Sequence, residues 1–308
     1  MDQNHQSDDS IFFIPVKKNA KYYRSEARAR LAGKWKTGFL VSFLAILLGA
    51  TGTTLFFTPS IDTELLESIP SEELALLLPY LPLIAFIVTV SAVIAFAFSL
   101  FVSGPTELGY HRFHLEVIDQ NHEAVTVRTL FGFFSRHYFK GVLLRLLRTL
   151  ITHLTALPLL VGTVISALYV RSVLLISPTM GAFLTATFIA GTIVSACSLV
   201  TILITLPVFY MYTFAPFIMS EYPEISAIEA MRNSRHLTKG HKWKLFCLDM
   251  SFIGWILLGA LACGIGLIFV FPYLQTARAL FYHDISGRET AKEAEFPSLD
   301  PDDYTPAE

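Results

Sequence analysis

The sequence predicts an all-α, polytopic membrane protein: six transmembrane helices as three hairpins, with amphipathic cytoplasmic collar helices at their bases. Three observations predict it. The 308 residues are 53% hydrophobic and only 16% charged, where a soluble domain carries roughly 25% charged residues, and the mean hydropathy is +0.54. Apolar runs of spanning length recur along the chain; at ~1.5 Å rise per residue, a run of ~20 residues reaches across the ~30 Å hydrocarbon core of a bilayer. Lysines and arginines also gather on one side of a thread that crosses six times, as the positive-inside rule requires.

Residues 1–36 are expected to be a cytoplasmic N-terminal segment, polar over its first ten residues. The stretch from Lys21 to Lys36, rich in alanine and arginine and broken at Gly33, reads as an interfacial amphipathic helix. Tyr22, Tyr23, Leu31 and Trp35 face inward and the arginines face lipid phosphates. The first span is 37–57, an apolar run too long for a signal-peptide core and without a convincing cleavage site, so it is expected to stay as an anchor. Residues 58–79 form an acidic outer loop carrying Asp62, Glu64, Glu67, Glu72 and Glu73 and no lysine or arginine. The second span, 81–103, closes on Ser103-Gly104-Pro105. Thr106 to Gln120 then reads as an amphipathic helix leaving the membrane, with Pro105 in its first turn, where the missing amide proton is not needed.

Residues 125–140 mix Phe131, Phe133, Phe134 and Tyr138 with Arg128, Arg136 and Lys140, which is an interfacial composition. The third span, 142–170, holds Arg145 and Arg148 in its first turns, from which long side chains snorkel to headgroups. After a short connection past Arg171 the fourth span covers 181–206, and Pro207 and Pro216 kink its continuation. From Pro223 to Gly240 an amphipathic helix places Glu224 and Glu229 early and Arg235 and Lys239 late, as the helix dipole favours. The fifth and sixth spans, 244–263 and 265–283, form a hairpin that turns at Gly264-Ile265-Gly266. The six-span domain is thus 37–285, and the acidic, proline-containing tail 286–308 has too few apolar residues to fold alone.

Of the 23 lysines and arginines, 22 lie on one side of this thread and only Arg171 on the other, which predicts that both termini are cytoplasmic. The basic entrances also echo one another. Leu31, Gly33, Trp35 and Lys36 parallel Leu237, Gly240, Trp243 and Lys244, and the exits carry Pro105, Pro216 and Pro272. A triplicated hairpin accounts for this pattern, as does the ordinary chemistry of any amphipathic approach to a membrane. Cys197, Cys247 and Cys263 sit in apolar runs with no CxxC neighbour and read as small packing residues.

Few residues offer chemistry. Charge inside a span is costly, by about 2.5–3.5 kcal/mol on insertion scales, so Asp249 requires a partner or a purpose. Counted from the turn at Ile265, Asp249 and Arg278 differ in depth by only ~4–5 Å on antiparallel helices. They are therefore a candidate intramembrane ion pair, with Arg145 or Arg148 as alternative partners, and a solute or proton path lined by Asp249 is the competing reading. Glu107, His111 and His114 share one helical face at spacings of four and three. That spacing suits a divalent metal completed by His122, or more plainly an interfacial helix with a polar face, and no metal site is assigned. The lipid-headgroup candidates are Arg28, Arg30, Lys34, Trp35, Lys36, Lys239, Lys242, Trp243 and Lys244. Tryptophan beside lysine next to a span fits anionic lipid rather than nucleic acid. No strand-borne GxGxxG, P-loop or GxSxG occurs, so no cofactor is expected and an enzyme is the least supported class.

Several stretches carry a family resemblance: Gly33-Lys34-Trp35; Gly104-Pro105 with Glu107, Leu108 and Gly109; Ala215-Pro216; and Ile228 to Tyr282, with Lys239-Gly240-His241-Lys242, Leu248-Asp249, Phe252-Ile253-Gly254-Trp255, Pro272-Tyr273 and Ala277-Arg278-Ala279. On these the chain resembles an uncharacterised multi-pass bacterial membrane protein family, named only as a domain of unknown function. It is more distantly similar, in hairpin-plus-collar organisation, to the membrane portion of some glycerophosphodiester phosphodiesterases. The resemblance implies a bacterial inner-membrane location and no assigned activity. The expected function is a non-enzymatic membrane component engaging anionic lipid and other membrane proteins; the alternative is a transporter or permeation pathway for a small solute.

Overall fold

The structure is a computed structural model that describes residues 18–51, 78–119, 126–177, 179–261 and 264–287. All but the last two residues of the acidic loop expected at 58–79, the end of the first expected span, His122, Cys263 and nearly all of the acidic tail lie outside the described residues. Among those described, secondary structure is helical throughout: α1 (Ala20–Leu31), α2 (Trp35–Leu47), α3 (Leu81–Phe101), α4 (Ser103–Asp119), α5 (Tyr138–Thr155), α6 (Leu157–Ile176), α7 (Met180–Met211), α8 (Ala215–Glu221), α9 (Ala227–Leu237), α10 (Lys242–Met250), α11 (Ile253–Leu261) and α12 (Ile265–Ile285). Two 3-10 segments, Leu78–Tyr80 and Val127–Phe134, complete the set.

Four helical stretches are long and apolar enough to cross a membrane: Pro82–Asp119, Leu157–Ile176, Met180–Glu221 and Lys242–Leu261. Two expected spans are not among them. Helix α2 has 13 residues, about 20 Å at ~1.5 Å per residue. It stops at Leu48, where Gly49 takes a left-handed φ of 71° and the Ser103 hydroxyl donates to the Leu48 carbonyl at 2.6 Å. Helix α12 has the length, but its second half carries Gln275, Thr276, Arg278 and His283, which lower its hydropathy and turn inward. The expected third span, 142–170, is two helices. The chain breaks at Ala156 ahead of Pro158, whose ring cannot donate the amide hydrogen bond that a continuous helix needs, so the apolar span is α6 and the arginines belong to α5.

These breaks separate two environments. Along α3 nearly every apolar side chain is exposed, Phe86 at 65% and Ile94 at 64%, whereas 14 of the 17 residues of α4 are buried. Helices α7 and α8 repeat the contrast, passing from exposed Leu199 and Leu203 to buried Pro216, Phe217 and Met219. A surface rich in exposed leucine, isoleucine and phenylalanine is what lipid requires, and a tight aromatic core lies at the other end. Its centre is Tyr23, Tyr110, Phe113, Phe214, Phe217, Phe252 and Phe281, each less than about a fiftieth exposed. Phe214 stacks on Phe281 and Phe217 on Tyr282, with ring centroids 6.1 and 5.7 Å apart.

Helix α4 is therefore the hub, and the expectation of an amphipathic helix leaving the membrane along the surface is corrected. It packs against α5, α8, α12 and the 3-10 segment Val127–Phe134, leaving one narrow edge at Arg112, Glu116 and Asp119. The amphipathic pattern is real, but its polar side meets polar groups of other helices instead of water. Gly109 permits the closest approach, since a Cβ there would lie 2.0 Å from the Leu130 carbonyl oxygen.

The N-terminal helix is tied to the end of the chain. Asn19 caps α1 by accepting from the Tyr22 amide at 3.0 Å. The Tyr23 hydroxyl donates to the Asp284 carboxylate, the Tyr273 hydroxyl to the Arg24 carbonyl at 3.0 Å, and Arg24 to the Ser251 carbonyl at 3.0 Å. Gly33 and Gly240, matched in the sequence, both adopt left-handed φ, 78° and 81°, in the turns that join α1 to α2 and α9 to α10. Gly109→Val forces the Val127–Phe134 segment off α4. Overpacking of this kind costs at least about 1–3 kcal/mol, to be read as a lowered thermal midpoint of the detergent-purified protein, while Gly254→Val, where a Cβ meets nothing within 4 Å, leaves the midpoint unchanged.

Candidate functional site

The polar side of α4 is a stripe of Glu107, Tyr110, His111 and His114, at i, i+3, i+4 and i+7, all buried. Three of the four groups meet a partner from a distant part of the chain, while His111 faces Glu107 on its own helix. Glu107 receives both arginines of α5: Arg145 Nη1 donates to Oε2 at 3.0 Å and Arg148 Nη1 to Oε1. His111 Nε2 stands 3.9 Å from the same carboxylate. The Tyr110 hydroxyl bonds the Ser42 hydroxyl of α2 at 3.0 Å, and His114 Nδ1 bonds the Thr276 hydroxyl of α12 at 3.0 Å. Among the described residues, His111 Nδ1, His114 Nε2, Arg145 Nε and Gln275 Oε1 are buried without a hydrogen-bond partner.

The second charged assembly is Asp249 with Arg278. Nε donates to Oδ1 at 2.9 Å and Nη2 to Oδ2 at 2.7 Å, a two-pronged pair. The Tyr210 hydroxyl of α7 also donates to Oδ2, at 3.1 Å. The direct partner expected from the depth count is the one observed, whereas Arg145 and Arg148, the alternatives, belong to Glu107. Both side chains are mostly buried, 14% exposed for Arg278 and 9% for Asp249. The pair fastens α10, α12 and α7 where α10 gives way to α11.

The histidines of α4 do not assemble into a chelating set. Glu107 is committed to two guanidiniums and His114 to Thr276, and among the described residues no group of three His, Cys, Asp or Glu is placed to hold a metal ion.

The basic residues expected at headgroups divide. Lys36, Lys239, Trp243 and Lys244 are exposed, and Lys34, Trp35 and Lys242 are half-buried. Arg28 is exposed with its guanidinium 5.8 Å from the Tyr273 ring centre, and Trp35 packs on the same ring at 6.4 Å. Arg30 turns inward instead, donating to Glu26 at 2.6 Å and to the Ile118 carbonyl at 2.7 Å. Lys140 behaves likewise, donating to the carbonyls of Pro223 and Glu224 at 2.6 and 2.8 Å. Tyr210, Ser42 and Thr276 are site partners that sequence reading passed over; for Ser42 the signal was a lone polar group inside an apolar run.

The family model described as "Protein of unknown function (DUF975)" matches residues 17–289. No curated protein and no solved structure matches the chain.

Removing one member of a buried pair strands the other. Asp249→Asn is expected to destabilise by about 3–5 kcal/mol, and Asp249→Leu combined with Arg278→Met to recover most of that loss. Unfolding in mixed detergent, read as a double-mutant cycle, measures both. The Glu107 cluster behaves asymmetrically: Glu107→Gln strands two guanidiniums and lowers the midpoint more than Arg145→Gln or Arg148→Gln, each of which leaves the carboxylate one partner.

Proposed function

We propose that this chain, which belongs to the DUF975 family of proteins of unknown function, is a non-enzymatic component of a bacterial cytoplasmic membrane that holds anionic lipid headgroups and other membrane proteins against its basic side. The supporting observation is the way its charges divide. Buried ionisable groups are paired with one another, at Glu107 with Arg145 and Arg148 and at Asp249 with Arg278. Exposed cations with no ion pair among the described residues, including Lys36, Arg232, Arg235 and Lys239, lie on the basic entrances. Such cations beside exposed apolar helices and Trp243 suit a negatively charged headgroup layer, at about 1 kcal/mol each.

In this reading the chain crosses six times as three hairpins, α2 with α3, α6 with α7 and α11 with α12, and both termini are cytoplasmic. The packing of α6 on α7 and of α11 on α12 supports two of the three, and Arg171, exposed near the far end of α6, is the one basic residue this arrangement leaves outside. A second reading, a solute or proton pathway, draws support from the buried stripe of α4 with its unpartnered His111 Nδ1 and His114 Nε2, and from Arg145 Nε and Gln275 Oε1 on the neighbouring helices.

Two measurements separate these readings. In nanodiscs of mixed phosphatidylglycerol and phosphatidylcholine, the protein is expected to retain phosphatidylglycerol several-fold over its share of the mixture, and replacing Lys36, Arg232, Arg235 and Lys239 by Gln to abolish the enrichment. Crosslinking and co-purification from native membrane is expected to recover a defined membrane partner. A variant Asp249→Asn that folds at normal levels yet abolishes a measurable flux in proteoliposomes supports the pathway and sinks the non-transporting reading.

A further inference from the structure

The cluster at Glu107 is not neutral, because two arginines share one carboxylate. Arg145 is committed on both arms, its Nη1 to Glu107 and its Nη2 to the Ser99 hydroxyl at 3.4 Å. Arg148 is not. Among the described residues only its Nη1 has a protein acceptor, and Arg148 also lines a crevice between α5 and α7.

That crevice is narrow, about 40 Å³, and opens to the outside. Its walls are Ile151, Val208 and Phe209 with the threonines Thr152, Thr155 and Thr205, and Tyr212 lines it together with Arg148. The threonine hydroxyls already donate within the protein: Thr152 to the Arg148 carbonyl, Thr155 to the Thr152 carbonyl and Thr205 to the Thr155 hydroxyl. The Tyr212 hydroxyl has no partner among the described residues. On the same two helices Leu150, Leu154 and Leu203 are each more than about three-fifths exposed.

An uncompensated guanidinium, a spare phenolic donor and apolar walls opening beside exposed leucines make a site for an anion with an apolar tail. A phosphate oxygen accepts from Arg148 and Tyr212 together, and the apolar walls receive the first carbons of a chain. We propose that the α5–α7 crevice binds one phosphate-bearing anion, the headgroup of an anionic phospholipid, as a discrete site distinct from the exposed basic collar. This deepens the lipid reading given above and rests on it only for the membrane setting.

The test is native mass spectrometry of the full-length protein in detergent, titrated with phosphatidylglycerol, with phosphatidylcholine or with inorganic phosphate. The expected result is one phosphatidylglycerol retained per chain, with occupancy falling at least about tenfold in Arg148→Gln, where Arg145 still pairs Glu107, and several-fold in Tyr212→Phe. Ile151→Trp, which fills the crevice and leaves the charged cluster intact, removes the same lipid, and thermal midpoints report whether each variant is folded. The four-site collar variant keeps this one lipid while losing bulk enrichment, so failure of the collar reading and failure of the crevice are told apart. Inorganic phosphate bound to lipid-free protein and lost in Arg148→Gln assigns the site to free phosphate and sustains the shared chemistry. Equal retention of phosphatidylcholine, or undiminished phosphatidylglycerol in folded Arg148→Gln and Ile151→Trp, overturns the proposal.

Discussion

Helix α4 is enclosed on all but one edge and yet carries Glu107, Tyr110, His111 and His114 along a single stripe. A polar group removed from water costs free energy unless another group in the protein meets it, and an unpaired charge costs more. The positions of α2, α5 and α12 follow from this. Ser42 comes to Tyr110, Arg145 and Arg148 to Glu107, and Thr276 to His114. In water-soluble domains apolar burial dictates which helices meet; here the apolar helices α3, α6 and α7 gain little by meeting one another when lipid is available, so the polar demands of α4 decide the arrangement.

The same constraint sorts the charges. Inside, each carboxylate is held by guanidinium, with a tyrosine added at Asp249. Outside, Lys36, Arg232, Arg235 and Lys239 are exposed and have no ion pair among the described residues. On the lipid reading proposed above, phosphate-bearing headgroups are what would meet these cations. The crevice at Arg148 is the boundary case, a guanidinium half committed to the interior and half available to the bilayer.

Much of this was legible in the sequence. The long apolar helices α3, α6, α7 and α10–α11 follow from composition and length, and the pairing of Asp249 with Arg278 follows from counting depth back from Gly264-Ile265-Gly266. The caps of α1 and α9, at Asn19 and Ser226, follow equally local rules. Three features were not legible for a common reason. The burial of α4 depends on partners from α5 and α12, some 40 and 160 residues away in the chain, and a buried polar stripe has the same periodicity as a wet one. The inward turn of Arg30 depends on the Ile118 carbonyl, which periodicity does not locate. The break at Ala156 was nearer the surface of the text, since Pro158 marks it, but the apolar run on both sides hid it. Gly104, Gly109 and Gly141 near the polar stripe were the available hint that α4 is packed closely rather than solvated.

The order of the charges along the chain bears on how the protein is made. In both buried assemblies the acid is synthesised first: Glu107 precedes Arg145 and Arg148 by 38 and 41 residues, and Asp249 precedes Arg278 by 29. At about 5–20 residues per second, each carboxylate waits roughly 1.5–8 s for its guanidinium. For that interval the growing chain holds an acid beside an apolar helix without its native base. The two waits fall in different parts of translation, and the final hairpin cannot settle until its second helix has emerged as far as Arg278.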